Sequence, residues 1–507
     1  MFRLAVLCLL ALTTPLAATS PKQLQALYSS LDAQSITQQL AFHQLYSQSS
    51  QGKKALQKAW QLMAGSNEDL PLPVISMPVD AIIDLANRRD NTATPTLSDD
   101  LLSLIEKASS HLPHKNLKGH LATTEAQVLQ LSNDEIDCAR ALFLSQFTDQ
   151  EDAIKKIRYY EAVLDMMAMQ ILAKLPDNAT PYDKIDEINR FIFDEMWFRF
   201  PPHSSHAENI DIYTFLPSVM DSRRGVCLGV SVLYLSIAQR LDLPLEIVTP
   251  PGHIYLRYND KGKITNIETT ARGIHMPDDV YLSVNLHTLP LRQMKEVPGL
   301  VAFNQASVYL QQQQFDKALP CYEQAIKYAQ TAHVKELLGI CHLFTGNKKK
   351  GRTYLQESLQ TPDTTLVAKD VLIDDLLSNA VAIEDAKVLF MKVDEKRQSL
   401  LDKKQALIEV LGRNPKFRTG WFYLSVTWLQ LHRYGEALDT LQHYHTLHDG
   451  DPTAEYYLAA INLERFDYNR AWDHLHQAEE LVATHDYQPK TLKELRQQLT
   501  LQCPEQL

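Results

Sequence analysis

RRGVCLGVSVLYLSIAQRLDLPLEIVTPPGHIYLRYNDKGKITNIE, residues 223–268, is the stretch on which the reading of this chain turns. Gly225-Val226 form a small-residue turn that delivers Cys227. Apolar residues follow at Val230, Leu233, Ile237, Ala238 and Leu241, mostly three or four apart, which predicts a helix. Leu243-Pro244 ends it, and Pro250-Pro251-Gly252 is a hard turn. His253 then opens HIYLRY, an alternating segment that reads as a strand. Asn259-Asp260-Lys261-Gly262 is a hairpin turn, and KITNIE returns beside it.

A hairpin loop centred on Asp260-Lys261 sets His253 directly across from Glu268, on one face of the sheet. Opposed pairs have Cβ atoms roughly 5 Å apart, close enough for a carboxylate to bond an imidazole and fix its tautomer. A two-residue slip leaves the pair diagonal and within reach. A one-residue slip puts them on opposite faces. Cys227 falls at the amino end of its helix, where the dipole and unsatisfied N–H groups favour a thiolate. The three residues in chain order make a Cys-His-acid triad: Cys227 attacks a carbonyl, His253 shuttles the proton and Glu268 orients His253. The plainer alternative is a buried cysteine acting as a small hydrophobe and a histidine capping a turn.

The chain has 507 residues, enough for about three units at roughly 150 residues each. Hydrophobic content of 45% and charged content of 22% are those of a globular protein. A net charge of -11 argues against nucleic-acid binding, which needs a basic face. MFRLAVLCLLALTTPLAATS carries Arg3, an apolar run from Leu4 to Leu12 and small residues at Ala17-Ala18. It reads as a cleavable signal peptide over 1–18, and so as a periplasmic or secreted protein. The apolar run is short of the ~20 residues a spanning helix needs, and no later stretch is apolar enough to span. Cys138, Cys227, Cys321, Cys341 and Cys503 remain after cleavage, none in CxxC spacing, so neither metal nor cofactor is expected. His203 and His206, three apart in PPHSSHAEN, are a weak metal signal.

Residues 19–110 read as a helical region without a motif, and 121–200 as helices. ALFLSQFTDQEDAIKKIRYYEAVLDMMAMQILAKL carries an apolar stripe that reads as core, and Thr180-Pro181 starts PYDKIDEINRFIFDEMWFRF. From Ala141 to Gly273 the chain resembles the transglutaminase-like core of the SirB-type bacterial proteins. The resemblance rests on Phe215-Leu216, Arg223-Arg224-Gly225, the Leu241-Asp242-Leu243-Pro244 turn, Pro251-Gly252-His253 and Glu268. It implies a fold similar to papain-like cysteine enzymes and transglutaminases. The chain departs from that pattern at three places. Val226-Cys227 stand where many members have a proline-containing turn, as in true transglutaminase cores. Glu268 replaces the usual Asp, and Tyr213-Thr214 replaces Asn-Ser, which leaves the Cys227 backbone N–H as the candidate oxyanion donor.

Beyond Pro298 the chain repeats. Ala302, Ala306, Tyr309, Ala318, Tyr322 and Ala325 fall at tetratricopeptide spacing, and so do Trp421, Leu424, Trp428, Ala437, Leu441 and Tyr444. Ala318 to Gly351 spans 33 positions and Ala437 to Ala471 spans 34, the period of stacked helical hairpins. Such repeats bind peptides or proteins in a concave groove. His432, His443, His445, His448, His474 and His476 cluster there and read as a solvated, pH-sensitive face.

The expected architecture is an α+β transglutaminase/papain-like core, residues 111–295, followed by an all-α tetratricopeptide repeat superhelix, 296–507. The expected function is an exported thiol enzyme acting on amide or peptide bonds of a protein substrate, with the repeats docking a partner. The alternative is a non-catalytic adaptor with a degenerate core.

Overall fold

The structure is a computed structural model that describes residues 20–65, 97–147, 150–201, 210–394 and 396–504. The leader at 1–18, the proline-rich LPLPVISMPVD segment, His203 and His206 lie outside these residues. The chain divides into two compact units.

The first unit comprises the described parts of Met1–Asn116, Asp149–Met196 and Ile237–Leu243. It is helical, and its helices begin where the sequence supplies caps. Ser20, Ser98 and Thr180 accept the backbone N–H groups of Gln23, Leu101 and Asp183. Pro21 and Pro181 occupy first-turn positions, where a missing N–H costs nothing. The apolar stripe is core as expected, with Met166, Met167, Met169 and Ile171 all buried. On the same helix, Gln150–Leu172, sits a buried carboxylate. Asp165 has no exposed surface and is 2.8 Å from Arg240 Nε, 2.8 Å from Lys115 Nζ and 3.3 Å from His114 Nε2. The Ser109 hydroxyl donates to it at 2.8 Å. Burial works to raise the Asp165 pKa, but these cations outweigh burial and hold it well below the usual carboxylate range.

The second unit comprises the described parts of Leu117–Thr148, Trp197–Ser236 and Pro244–Leu507. It holds one antiparallel sheet of β1 (Glu246–Val248), β2 (Tyr255–Asp260), β3 (Lys263–Ile267) and β4 (Leu291–Arg292), in the order β3-β2-β1-β4. The hairpin differs from the expected register by two residues, because Asp260 pairs with Lys263 and Leu256 with Ile267. The turn is Lys261-Gly262, both at positive φ (51° and 99°), which is where Gly is tolerated and where the strand twist is matched. A two-residue slip preserves the face. Tyr255 thus falls opposite Glu268 and His253 falls diagonal to it.

The repeats begin with Val297–Gln311 packed on Phe315–Tyr328 and continue with Ala332–Phe344 on Lys348–Gln360. Arg418–Gln430 on Tyr434–Leu447 and Pro452–Glu464 on Tyr468–Ala483 follow, and Lys490–Gln502 closes the chain. Ala318, Tyr322, Leu338, Leu355, Ala437 and Ala471 are buried, so the small and large apolar positions form the seams between helices. QALIEVLGRNP lies at the end of a long helix, Arg397–Arg413, that follows two short ones.

The repeats also pack on the sheet-bearing part of this unit. Asn304 Nδ2 donates to Thr214 Oγ1 at 2.9 Å. Leu286 bridges Leu366, and Asn285 exchanges bonds with Val367 and Ala368. Val284 is buried in a cluster with Leu475, Leu492 and Leu495 of the last helices. The repeat histidines are not simply a solvated face. His445 and His474 each place Nδ1 2.7 Å from a carboxylate oxygen of Glu455, which has no exposed surface. A carboxyl group with no access to water costs free energy unless polar partners such as these surround it.

Candidate active site

Cys227 is placed by three backbone crossings. The Leu216–Ser222 helix ends at Arg223, which is at φ 53°. Arg199 N–H donates to the Arg223 carbonyl at 3.0 Å, and Gly225 N–H donates to the Arg199 carbonyl at 3.1 Å. Val226 N–H then donates to the Tyr213 carbonyl at 3.2 Å, and the Val226 carbonyl accepts the first bond of the helix. Cys227 is therefore the first residue of Cys227–Arg240, half-buried, at an amino end whose N–H groups have no acceptor within the helix. Gly229 allows this arrangement, since a Cβ there would lie 2.0 Å from the Tyr213 carbonyl oxygen. Tyr213-Thr214, where the resemblance leads one to look for Asn-Ser, anchors the cysteine turn and reaches the first repeat helix through Thr214.

His253 follows a turn closed by its own N–H on the Pro250 carbonyl at 3.0 Å. Its Nε2 is 2.6 Å from Glu268 Oε2, and the Cys227 side chain acts on the same ring, being the first cause of its raised pKa. The structure therefore brings His253 and Glu268 together, with Cys227 acting on the same ring.

Glu268 is 4% exposed, and both of its oxygens are occupied. Oε1 accepts Thr270 N–H at 3.1 Å and the Thr270 hydroxyl at 2.6 Å. Oε2 accepts His253 and the Tyr281 hydroxyl, each at 2.6 Å. Burial works to raise its pKa, but the bonds from His253, Thr270 and Tyr281 outweigh burial and bring it down to about 2. His253 is pushed up to about 10, first by Cys227 and then by Glu268. A carboxylate ringed by donors in this way orients an imidazole. Thr269, the residue between, ties the assembly to the cysteine helix: its Oγ1 is 3.0 Å from Ser231 Oγ and 3.5 Å from the Cys227 carbonyl oxygen.

Two members of the site escaped the sequence reading. Thr270 had a signal, since a Ser or Thr two residues after an acid commonly bonds it locally. Tyr281 had none, because it reaches Glu268 from 13 positions away through a loop.

Residues 158–286 match the transglutaminase-like superfamily and residues 299–332 match the tetratricopeptide repeat. The chain carries a transglutaminase-like domain followed by tetratricopeptide repeats. The transglutaminase-like match contains Cys227, His253, Glu268, Thr270 and Tyr281. Among curated proteins, the chain is similar to a UPF0162 protein of Xylella fastidiosa strain 9a5c, 25% identical over 36% of this chain and 69% of the relative. A second UPF0162 protein, from strain Temecula1, is 22% identical over 49% and 90%. F-box only protein 21 of Mus musculus is 31% identical over 15% of this chain and 11% of its own. Among solved structures, MamA is 14% identical and covers 36% of this chain and 96% of its own, with a TM-score of 0.20. No helix among the described residues is long and apolar enough to cross a membrane.

The charge state of the dyad gives a pH prediction. The raised His253 contributes stability that is complete below its ordinary value of 6.5 and is lost as pH rises through about 10. The depressed Glu268 contributes stability that is complete above its ordinary 4.5 and is lost as pH falls through about 2. The His253 Cε1–H resonance is therefore expected to stay at its protonated position across neutral pH, while a ring with an ordinary pKa titrates there. A His253 midpoint near the ordinary value would contradict the dyad.

Proposed function

We propose that the transglutaminase-like domain is a thiol enzyme acting on amide or peptide bonds of a protein substrate. The observation that carries this reading is the 2.6 Å pairing of His253 with the buried Glu268, on a ring whose pKa Cys227 and Glu268 push up. In the reaction, the Cys227 proton already resides on His253, and the thiolate sulfur bonds to the carbonyl carbon. The C–N bond then breaks, and His253 gives that proton to the leaving amine, with a thioester left on Cys227. Water resolves the thioester in proteolysis or deamidation, and a second amine resolves it in acyl transfer. The Cys227 N–H at the helix start is the donor positioned for the oxyanion. The tetratricopeptide repeats suit a protein-interaction role and present the substrate or a partner. Residues 1–18 support an exported protein, periplasmic or secreted.

The test offers the protein a glutamine-containing protein, a primary-amine probe and a peptide library. Ammonia release, amine incorporation or peptide cleavage that disappears in Cys227→Ser supports the enzyme. The second reading is a non-catalytic adaptor with a degenerate core, favoured by the match to tetratricopeptide repeats. It predicts no turnover on any of the three, and a Cys227→Ser chain that still binds the partner captured by the native protein.

A further inference from the structure

We propose that Tyr281 is a positioning residue of the site, fixing the Glu268 carboxylate in the orientation that holds His253 against Cys227. The proposal rests on the thiol-enzyme reading above and assigns a role outside the three expected residues. Its basis is geometric. The Tyr281 hydroxyl donates to Oε2 at 2.6 Å, the same oxygen that takes His253 Nε2. Its ring lies flat beside the imidazole, centroids 5.6 Å apart at 15°, and stacks on Tyr255 at 4.4 Å and 21°. One side chain thus limits the rotation of both members of the dyad, the carboxylate through a hydrogen bond and the imidazole through its face.

The segment that brings Tyr281 in is itself held. Asn266 Nδ2 donates to the Met276 carbonyl at 2.7 Å and to Asp278 Oδ1 at 2.6 Å. Arg257 donates to the same Asp278 oxygen at 2.7 Å and to Asn266 Oδ1 at 3.0 Å. On its other side, Val284 is buried among the last repeat helices. The phenol remains a donor, because burial first and the adjacent Glu268 second push its pKa above the ordinary tyrosine value. Among the described residues, Cys227, Tyr255 and Tyr281 face the dyad, and Asp278, bonded to Tyr255 and Arg257, acts on both tyrosines.

Tyr281→Phe keeps the ring and removes the donor. A bond to the charged form favours that form, so its loss raises the Glu268 midpoint. The carboxyl carbon of Glu268, assigned by its absence in Glu268→Gln, is followed by NMR in native and Tyr281→Phe chains. The expected shift is about one pH unit upward, a tenfold rise in proton affinity. Alkylation of Cys227 by iodoacetamide at neutral pH is expected to slow by about threefold to tenfold, because the dyad is less fixed. An unchanged carboxyl midpoint overturns the proposal. The reciprocal measurement does not depend on the folding of Tyr281→Phe. In Glu268→Gln the Tyr281 phenol, followed by its labelled ring carbon, should ionise at lower pH than in the native chain, and an unmoved phenol overturns the proposal equally. A native Cys227 that alkylates slowly sinks the enzyme reading instead, and both titrations still decide the role of Tyr281.

Discussion

In the native protein iodoacetamide is expected to modify Cys227 before any other cysteine, and His253→Ala is expected to abolish that preference. The contrast is built into the chain. Cys138 and Cys341 are buried, and burial pushes the Cys341 thiol up to about 12. Cys321 is raised by burial as well. Cys227 is half-buried at a helix start beside the His253 ring, whose pKa it helps push up. A neighbouring cationic ring lowers a cysteine pKa from about 8.5 to about 3.5–7.5 and so raises the thiolate share at neutral pH by roughly tenfold to thirtyfold. Removing the ring should therefore slow Cys227 by about tenfold to thirtyfold, to the level of Cys503, with mass-mapped labelling kinetics as the measurement. Glu268→Gln should fall between the two, since it leaves the ring in place without its anion. Equal rates at Cys227 and Cys503 in the native chain would remove the basis for catalysis.

Asp165→Ala is expected to cost the first unit about 3–5 kcal/mol, the range for breaking a buried ion pair on one side. The reason is what it leaves behind. Arg240 has no exposed surface, and His114 also faces the vacated position from a buried site. Urea unfolding gives the comparison, with Glu106→Gln as the control. Glu106 pairs with Arg158 near the surface, where both side chains are a third or so exposed, and such pairs contribute at most about 1 kcal/mol. The Asp165 pKa is depressed, so its contribution is present above the ordinary carboxylate value of 3.8 and declines as pH falls below it. The native unfolding midpoint should drop in acid, while Asp165→Ala, already without the pair, should show less of that drop. Equal midpoints for Asp165→Ala and Glu106→Gln would contradict the account.

The parts of this architecture that repeat at short range were legible in the sequence. Helical spacing located the Cys227 helix, and alternation with a turn located β2 and β3. The repeat period located the helical hairpins. The pairing of His253 with Glu268 was legible for a narrower reason. Side chains on a strand alternate faces, so only the parity of the register mattered, and the true turn at Lys261-Gly262 kept that parity while moving the pairing by two. Long-range chemistry was not legible. Nothing near Tyr281 announces a carboxylate, and nothing in the apolar stripe around Asp165 says that Arg240 will meet it. The histidines of the repeats were visible as a cluster, but Glu455 between them was not, because its partners come from two other helices.

The stretch from Asp279 to His287 belongs to two neighbourhoods at once. Its beginning carries the phenol that grips Glu268, Val284 is buried beneath the final helices, and Lys490 reaches Asp279 at 3.4 Å. During synthesis Cys227, His253 and Glu268 all emerge long before Leu492 and Leu495 exist. The nascent chain thus holds Cys227, His253 and Glu268 before Val284 has the last helices to pack against. Premature termination in the repeats would leave all three residues in place and expose Val284.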